Sequence, residues 1–159
     1  MKKKIYKLEY TTVYYKDSFD NEDVEERYII GFFSNELLLI EAMNICKFEG
    51  MNKDCLQITE YELDCWYDKK YVYVLFYEYS RISNGIQWDY YYSFPPQPNK
   101  IKCILQKKSL LNDFNYKNSA DKIYYDSKDG FRIKRVLLNF VETENRMVNL
   151  NDWTERQSI

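Results

Sequence analysis

The sequence predicts an α+β fold made of duplicated strand-strand-helix-strand units, an antiparallel sheet with helices packed on one face. Three observations predict it. Strand-period and helix-period apolar patterns run in the same order twice along the chain. Leu56-x-Ile58-x-x-Tyr61-x-Leu63 repeats the four apolar slots of Phe131-x-Ile133-x-x-Val136-x-Leu138. Both strings step by three residues where a plain strand steps by two, which is what a β-bulge inserts. Finally, 159 residues with 45% hydrophobic and 18% aromatic content suffice for one packed domain. That domain spans 1–159, with similar halves at about 1–68 and 69–150 and a C-terminal tail.

Tyr6, Leu8, Tyr10 and Thr12 alternate with Lys7, Glu9 and Thr11, the period of a strand with one face in water. Tyr28 to Phe33 is continuously apolar, as in a strand covered on both faces. Ser34 stands where a helix N-cap belongs, its hydroxyl able to accept an amide proton. Leu38, Leu39, Ala42, Met43, Ile45 and Cys46 then form the inner face of a helix, closed by Gly50 in left-handed geometry. The second half opens with a strand over Tyr71–Ser80. Asn84-Gly85 marks a type I′ hairpin before Ile86–Phe94, where every second residue is large and apolar. Pro95, Pro96 and Pro98 end that strand, because proline cannot donate to a ladder. Pro98 suits the first turn of a helix with inner face Ile101, Ile104, Leu105 and Leu111. The β-branched content of Ile101–Leu105 leaves a short strand as the alternative. Asn112–Asp129 reads as a long polar loop around a short element at Ile123–Tyr125. The tail after Val141 is helical or extended, with Trp153 as its anchor. Leu8-Glu9-Tyr10 corresponds to Tyr77-Glu78-Tyr79, and Gly31-Phe32-Phe33-Ser34 to Tyr91-Tyr92-Ser93-Phe94.

Composition narrows the function. No histidine is present, which excludes Ser-His-Asp and Cys-His catalysis and every His-containing zinc site. The four glycines fall in no phosphate-binding loop, and no metal-ligand cluster or cofactor motif occurs. The sequence therefore reads as a non-enzyme without cofactor or metal. The charged start Met1–Lys4 is followed by Ile5-Tyr6-Lys7-Leu8-Glu9-Tyr10, which is no secretory core, and the longest aliphatic run is Leu37–Ile40. The four cysteines form no C-x-x-C pair. A cytoplasmic protein with reduced thiols is expected, Cys46 and Cys103 filling the core and no membrane partner.

A net charge of −2 hides a polarity: residues 1–70 carry 10 basic and 15 acidic groups, residues 100–135 carry 10 basic and 4 acidic. Asp17, Asp20, Glu22, Asp23, Glu25 and Glu26 form a run without a base. Such a run reads either as a solvated hairpin loop or as a docking surface for a basic protein partner. Among the 17 tyrosines, Tyr14 and Tyr91 take alternating strand positions that fit an uncovered sheet face. They read as sheet cladding or, with Trp88, as apolar anchors for a partner. Exposed rings near Lys100, Lys102, Lys107 and Lys108 raise a small-ligand or single-stranded nucleic-acid module as the alternative. The acidic whole-chain balance and the lack of an RNP1-like string weigh against nucleic acid. Glu9 and Glu78 recur at corresponding positions, either as a carboxylate pair or as solvent-facing strand residues.

The order of the Glu-Tyr strand, Ile30-Gly31-Phe32-Phe33-Ser34, a helix, and Ile58-x-x-Tyr61-Glu62-Leu63-Asp64 resembles small uncharacterised bacterial α+β domains, some of them immunity-protein-like. The resemblance covers about the first 65 residues and reaches the second half through the repeat. There Asn139 stands where Asp64 stands, and Tyr-Ser-Phe-Pro replaces Gly-Phe-Phe-Ser. It implies an immunity or antitoxin-type inhibitor that occludes a basic toxin or nuclease, and brings no catalytic residue with it.

Overall fold

The computed structural model describes residues 2–15, 23–64, 69–83, 85–116 and 130–152, and over 13–15, 23–26, 79–83, 86–91 and 113–116 it describes the backbone. In chain order the elements are β1 (Lys2–Tyr15), β2 (Asp23–Phe33), α1 (Glu36–Phe48), a 3₁₀ turn (Lys53–Cys55), β3 (Leu56–Asp64), β4 (Tyr71–Ser83), β5 (Ile86–Ser93), α2 (Lys100–Tyr116), β6 (Phe131–Leu137), β7 (Phe140–Glu142) and β8 (Met147–Asn149). The class is α+β, with small antiparallel sheets and two helices. The chain divides into two compact units, residues 2–62 with the segment from Leu137, and residues 63–136.

The first unit holds the sheet β2-β1-β3 and the ribbon β7-β8. β1 and β2 pair antiparallel from Tyr6↔Phe33 to Tyr15↔Asp23, and the register shifts where Leu8 meets Gly31 and Glu9 meets Ile29. Ile30 is the extra residue, so this bulge lies in β2. Tyr10 lies opposite Tyr28, with ring centroids 5.4 Å apart, a cross-strand aromatic pair. α1 buries Leu38, Leu39, Ala42 and Cys46 against Tyr6, Leu8, Ile30 and Phe33, with Met43 and Ile45 at the margin. That is the expected helix face.

The caps are only partly as expected. Asn35, not Ser34, is the N-cap: its side chain accepts from the Leu38 amide at 2.9 Å. Ser34 bonds elsewhere, to Asn139. Gly50 closes the helix as expected, at φ 85°. Gly50 N–H donates to the Lys47 carbonyl and Met51 N–H to the Cys46 carbonyl, both at 3.0 Å, the paired bonds of a Schellman motif.

Two strand expectations need correction. β1 has no water-facing side over Ile5–Leu8, because all four residues are buried. Lys7 tolerates this by pairing its ammonium with Glu9 at 2.7 Å and lying over the Tyr61 ring at 5.8 Å. In β3, Thr59, Tyr61 and Leu63 point inward by plain alternation, while Ile58 is 47% exposed. The three-residue step of β3 therefore runs from Leu56 to Thr59, across exposed Gln57 and Ile58, and not from Ile58 to Tyr61 as expected. In β6 it falls where expected: Phe131 and Ile133 are covered, Lys134 and Arg135 are both exposed, and Val136 is covered again.

The segment from Leu137 completes the first unit's core, with Val141 and Leu150 packing in the same cluster as α1. It is extended, a hairpin of β7 and β8; Trp153 lies outside the described residues. Asn139 fastens it to β2. Its N–H donates to the Phe32 carbonyl at 2.8 Å and its backbone sits at φ 67°. Its Oδ1 accepts from Ser34 N–H at 2.9 Å, and its Nδ2 donates to Ser34 Oγ at 3.0 Å and Asn151 Oδ1 at 2.9 Å.

The second unit holds the sheet β5-β4-β6. Ser83 pairs with Ile86, which leaves the two-residue connection that Asn84-Gly85 announces, with Gly85 at φ 74°. Tyr77 lies opposite Tyr92, whereas Leu8 lies opposite Gly31, so the lead-in correspondences differ by one rung. Asn99 caps α2 by accepting from Lys102 N–H at 2.9 Å, and the short-strand alternative for Ile101–Leu105 does not hold. Of the expected inner face of α2 only Leu111 packs on the core, and Ile101, Ile104 and Leu105 are exposed. Cys103 is buried and Leu110 and Leu111 pack on Leu75, Tyr77 and Phe131, while Ile101 is 70% and Leu105 57% exposed. The helix also runs to Tyr116, past the expected loop start at Asn112, because Leu110 and Leu111 hold its later turns down.

Candidate functional site

The expected partner-binding residues fall in three groups. Asp17, Asp20 and Glu22 lie outside the described residues. Asp23, Glu25, Glu26 and Tyr14 lie on the far rungs of the β1–β2 ladder: Asp23 opposite Tyr15, Val24 opposite Tyr14, Glu25 opposite Val13 and Glu26 opposite Thr12. Their backbone register brings them together within four consecutive rungs, with no acid opposite an acid. Trp88 and Tyr91 lie in the other compact unit, opposite Arg81 and Glu78.

A further acidic row, on β3, is described in full. Glu60, Glu62 and Asp64 are exposed on alternate positions. Lys4 meets Glu60 at 2.9 Å and Lys2 meets Glu62 at 3.8 Å. The hydrogen bond to Glu60, followed by its charge, holds the Lys4 ammonium above its ordinary value. Pairs this open to water contribute little to stability but leave acidic oxygens facing solvent. The Glu-x-Glu-x-Asp alternation in Glu60-Tyr61-Glu62-Leu63-Asp64 was the available sequence signal for this row.

Glu9 and Glu78 do not share an environment. Glu9 is covered and ion-paired to Lys7, with side chains 15% and 8% exposed, while Glu78 is exposed opposite Tyr91. Neither the symmetric pair nor two solvent-facing residues describes them. In the second unit the cations lie on rings: Lys107 over Phe131 at 6.0 Å, Lys134 over Phe76 at 5.2 Å, and Arg135 over Tyr71 at 5.1 Å.

Near the end of α1, Arg146 Nε donates to Glu49 Oε1 at 2.7 Å. The Thr143 hydroxyl, then the Arg146 guanidinium, hold the Glu49 carboxyl below the usual carboxylate range, against its burial. The Thr143 hydroxyl is itself bonded to the Arg146 carbonyl at 3.3 Å, and Glu49 Oε2 is buried without a bonded partner, so Arg146 is the firmer contact. Burial first, then the charge of Glu144, pushes the Tyr28 phenol up to about 12. A phenol raised in the folded state stabilises that state below its unfolded pKa of about 10, and the contribution is lost as pH rises through the folded value. Denaturation midpoints are therefore expected to fall between pH 10 and about 12. Tyr28→Phe is expected to flatten that fall; an identical alkaline limb in the variant would remove Tyr28 as its cause.

Burial pushes the Cys46 and Cys103 thiols up to about 11, which keeps both protonated and poorly nucleophilic. Among the described residues, no three His, Cys, Asp or Glu side chains gather as for a metal ion, and no helix is long and apolar enough to cross a membrane. The chain matches no protein-family model, no curated protein and no solved structure.

Proposed function

We propose that this chain is a cytoplasmic protein-binding module of the immunity or antitoxin kind, which occludes a basic partner stoichiometrically. The observation that carries the reading is the acidic end of the β1–β2 ladder, where Asp23, Glu25 and Glu26 share consecutive rungs with Tyr14. Strand pairing sets the backbone positions of these residues side by side, and a cluster of one sign suits a partner rich in Lys and Arg. The exposed Glu60, Glu62 and Asp64 row lies beside Lys2 and Lys4 at the other end of β1, too far along the strand to share that field. Tyr14, Trp88 and Tyr91 are the proposed apolar anchors, and Asp17, Asp20 and Glu22 extend the charge.

The framework we propose is a duplicated strand-strand-helix-strand unit with its helices on one sheet face. Its support is that both three-stranded sheets share one strand order, second-first-third, with a helix between the second and third strands.

The test is binding to the product of the adjacent gene. Replacing the six carboxylates from Asp17 to Glu26 by their amides is expected to slow association about tenfold at low salt and to flatten its salt dependence. An unchanged association rate and salt slope would discard the acidic-surface mechanism.

A second reading, a small-ligand or single-stranded nucleic-acid module, is favoured by one observation: every exposed charge of β6, namely Arg132, Lys134 and Arg135, is basic. Thermal shift across a nucleotide and oligonucleotide panel separates the two. A salt-sensitive shift would support the second reading, and none would remove it.

A further inference from the structure

The outward face of α1 carries an apolar stripe. Leu37 is 76%, Ile40 51% and Phe48 86% exposed, and the polar Asn44 between them is exposed too. Steps of three, four and four residues put Leu37, Ile40, Asn44 and Phe48 on one helix face, while the opposite face packs the core. At about 1.5 Å per residue the stripe runs roughly 17 Å. Three large apolar side chains aligned on one exposed helix face fit a surface that a partner covers.

The charges beside the stripe choose the occupant. Glu36 and Lys47 are 11 positions apart, about three turns, so they lie on the same flank, acid at the start of the helix and base at its end. We propose that α1 is the interface of a two-fold homodimer, the two helices packing antiparallel. With the axis at the level between Ile40 and Asn44, Leu37 meets Phe48 of the partner subunit and Ile40 meets Asn44 of the partner subunit. Glu36 meets Lys47 of the partner subunit, and every contact occurs twice. Antiparallel helices also oppose their dipoles favourably. The stripe on α2 lacks this property: its exposed Ile101 and Leu105 are flanked by lysines alone, which would repel a second copy. One contact is adverse. Glu41 lies on the other flank near the axis, where it faces its own copy.

A single helix face covers less than the roughly 1,000 Å² of a stable interface, so the dissociation constant is expected on the order of 10–100 μM. Sedimentation equilibrium of the whole chain from low micromolar to millimolar concentration reads it. Phe48→Glu is expected to weaken the dimer at least tenfold, and because Phe48 is exposed the variant keeps its fold, checked by thermal denaturation. Lys47→Glu is expected to weaken it about threefold, the double swap Glu36→Lys with Lys47→Glu to restore it, and Glu41→Gln to tighten it. Glu36 also accepts the Tyr6 hydroxyl at 3.2 Å, so Lys47→Glu is the cleaner single variant. A monomer throughout the range would overturn the proposal, as would a dimer indifferent to Phe48→Glu or a double swap no better than Lys47→Glu.

Discussion

Gly31→Ala is expected to destabilise the protein by about 3 kcal/mol, the upper end of overpacking costs. The reason is backbone proximity rather than backbone conformation. A Cβ at this position would overlap the Phe140 carbonyl oxygen and press on the Phe33 ring at 2.9 Å. A flexible side chain would swing aside, but a carbonyl oxygen moves only with its strand. β7 is anchored just beside it, where Asn139 N–H bonds the Phe32 carbonyl at 2.8 Å. The alanine therefore lifts β7 from β2 and uncovers Val141 and Leu150, both in the α1 core. Gly50→Ala is the control. Its φ of 85° makes alanine unfavourable by about 1 kcal/mol, but nothing lies within 4 Å of the added carbon. Urea denaturation should rank Gly31→Ala well below Gly50→Ala in stability. Equal losses would mean that β7 does not approach β2 this closely.

Much of the fold was legible in the sequence, for reasons visible in particular residues. Leu38, Leu39, Ala42 and Cys46 repeat at helical spacing because that face meets a sheet, and Gly50 ends the helix because only a residue tolerant of positive φ fits there. Asn84-Gly85 named its hairpin for the same reason. What stayed hidden depends on contacts between residues far apart in sequence. Lys7 reads as solvent-facing until Glu9 and Tyr61 are seen around it. Ile58 reads as core although it faces outward, and Ile101 and Leu105 likewise, because an apolar residue at helical spacing does not say which side a partner element takes. The repeat places residues up to about 150 with the second half, whereas the chain from Leu137 clusters with the first unit. The candidate site was legible as composition only. The run of acids names a charged region, but its rungs beside Tyr14 follow from pairing, and the β3 row hides behind the apolar pattern it alternates with.

Asn139 shows how a mismatch in a repeat can carry information. Set against Asp64 it looks like a departure, yet asparagine is among the few residues that tolerate the left-handed region, and here φ is 67°. Asn139→Ala is expected to cost about 3 kcal/mol. Part comes from that backbone, and more from the lost part-buried hydrogen bonds, in which Asn139 accepts from Ser34 N–H and donates to Asn151 Oδ1. The two contributions separate by substitution. Asn139→Gly relieves the backbone but loses the same hydrogen bonds, so it should be about 1 kcal/mol milder than alanine. Asn139→Asp keeps the Oδ1 acceptor for Ser34 N–H but turns an oxygen toward Asn151 Oδ1, so it should restore little. Asn151 also donates to the Leu138 carbonyl at 3.0 Å, which makes it the second post of the clasp. Asn139→Ala and Asn151→Ala should therefore be non-additive by about 1 kcal/mol in a double-mutant cycle. Additive losses, with alanine and glycine equal at 139, would mean that neither the positive φ nor the shared hydrogen bonds hold the C-terminal hairpin to β2.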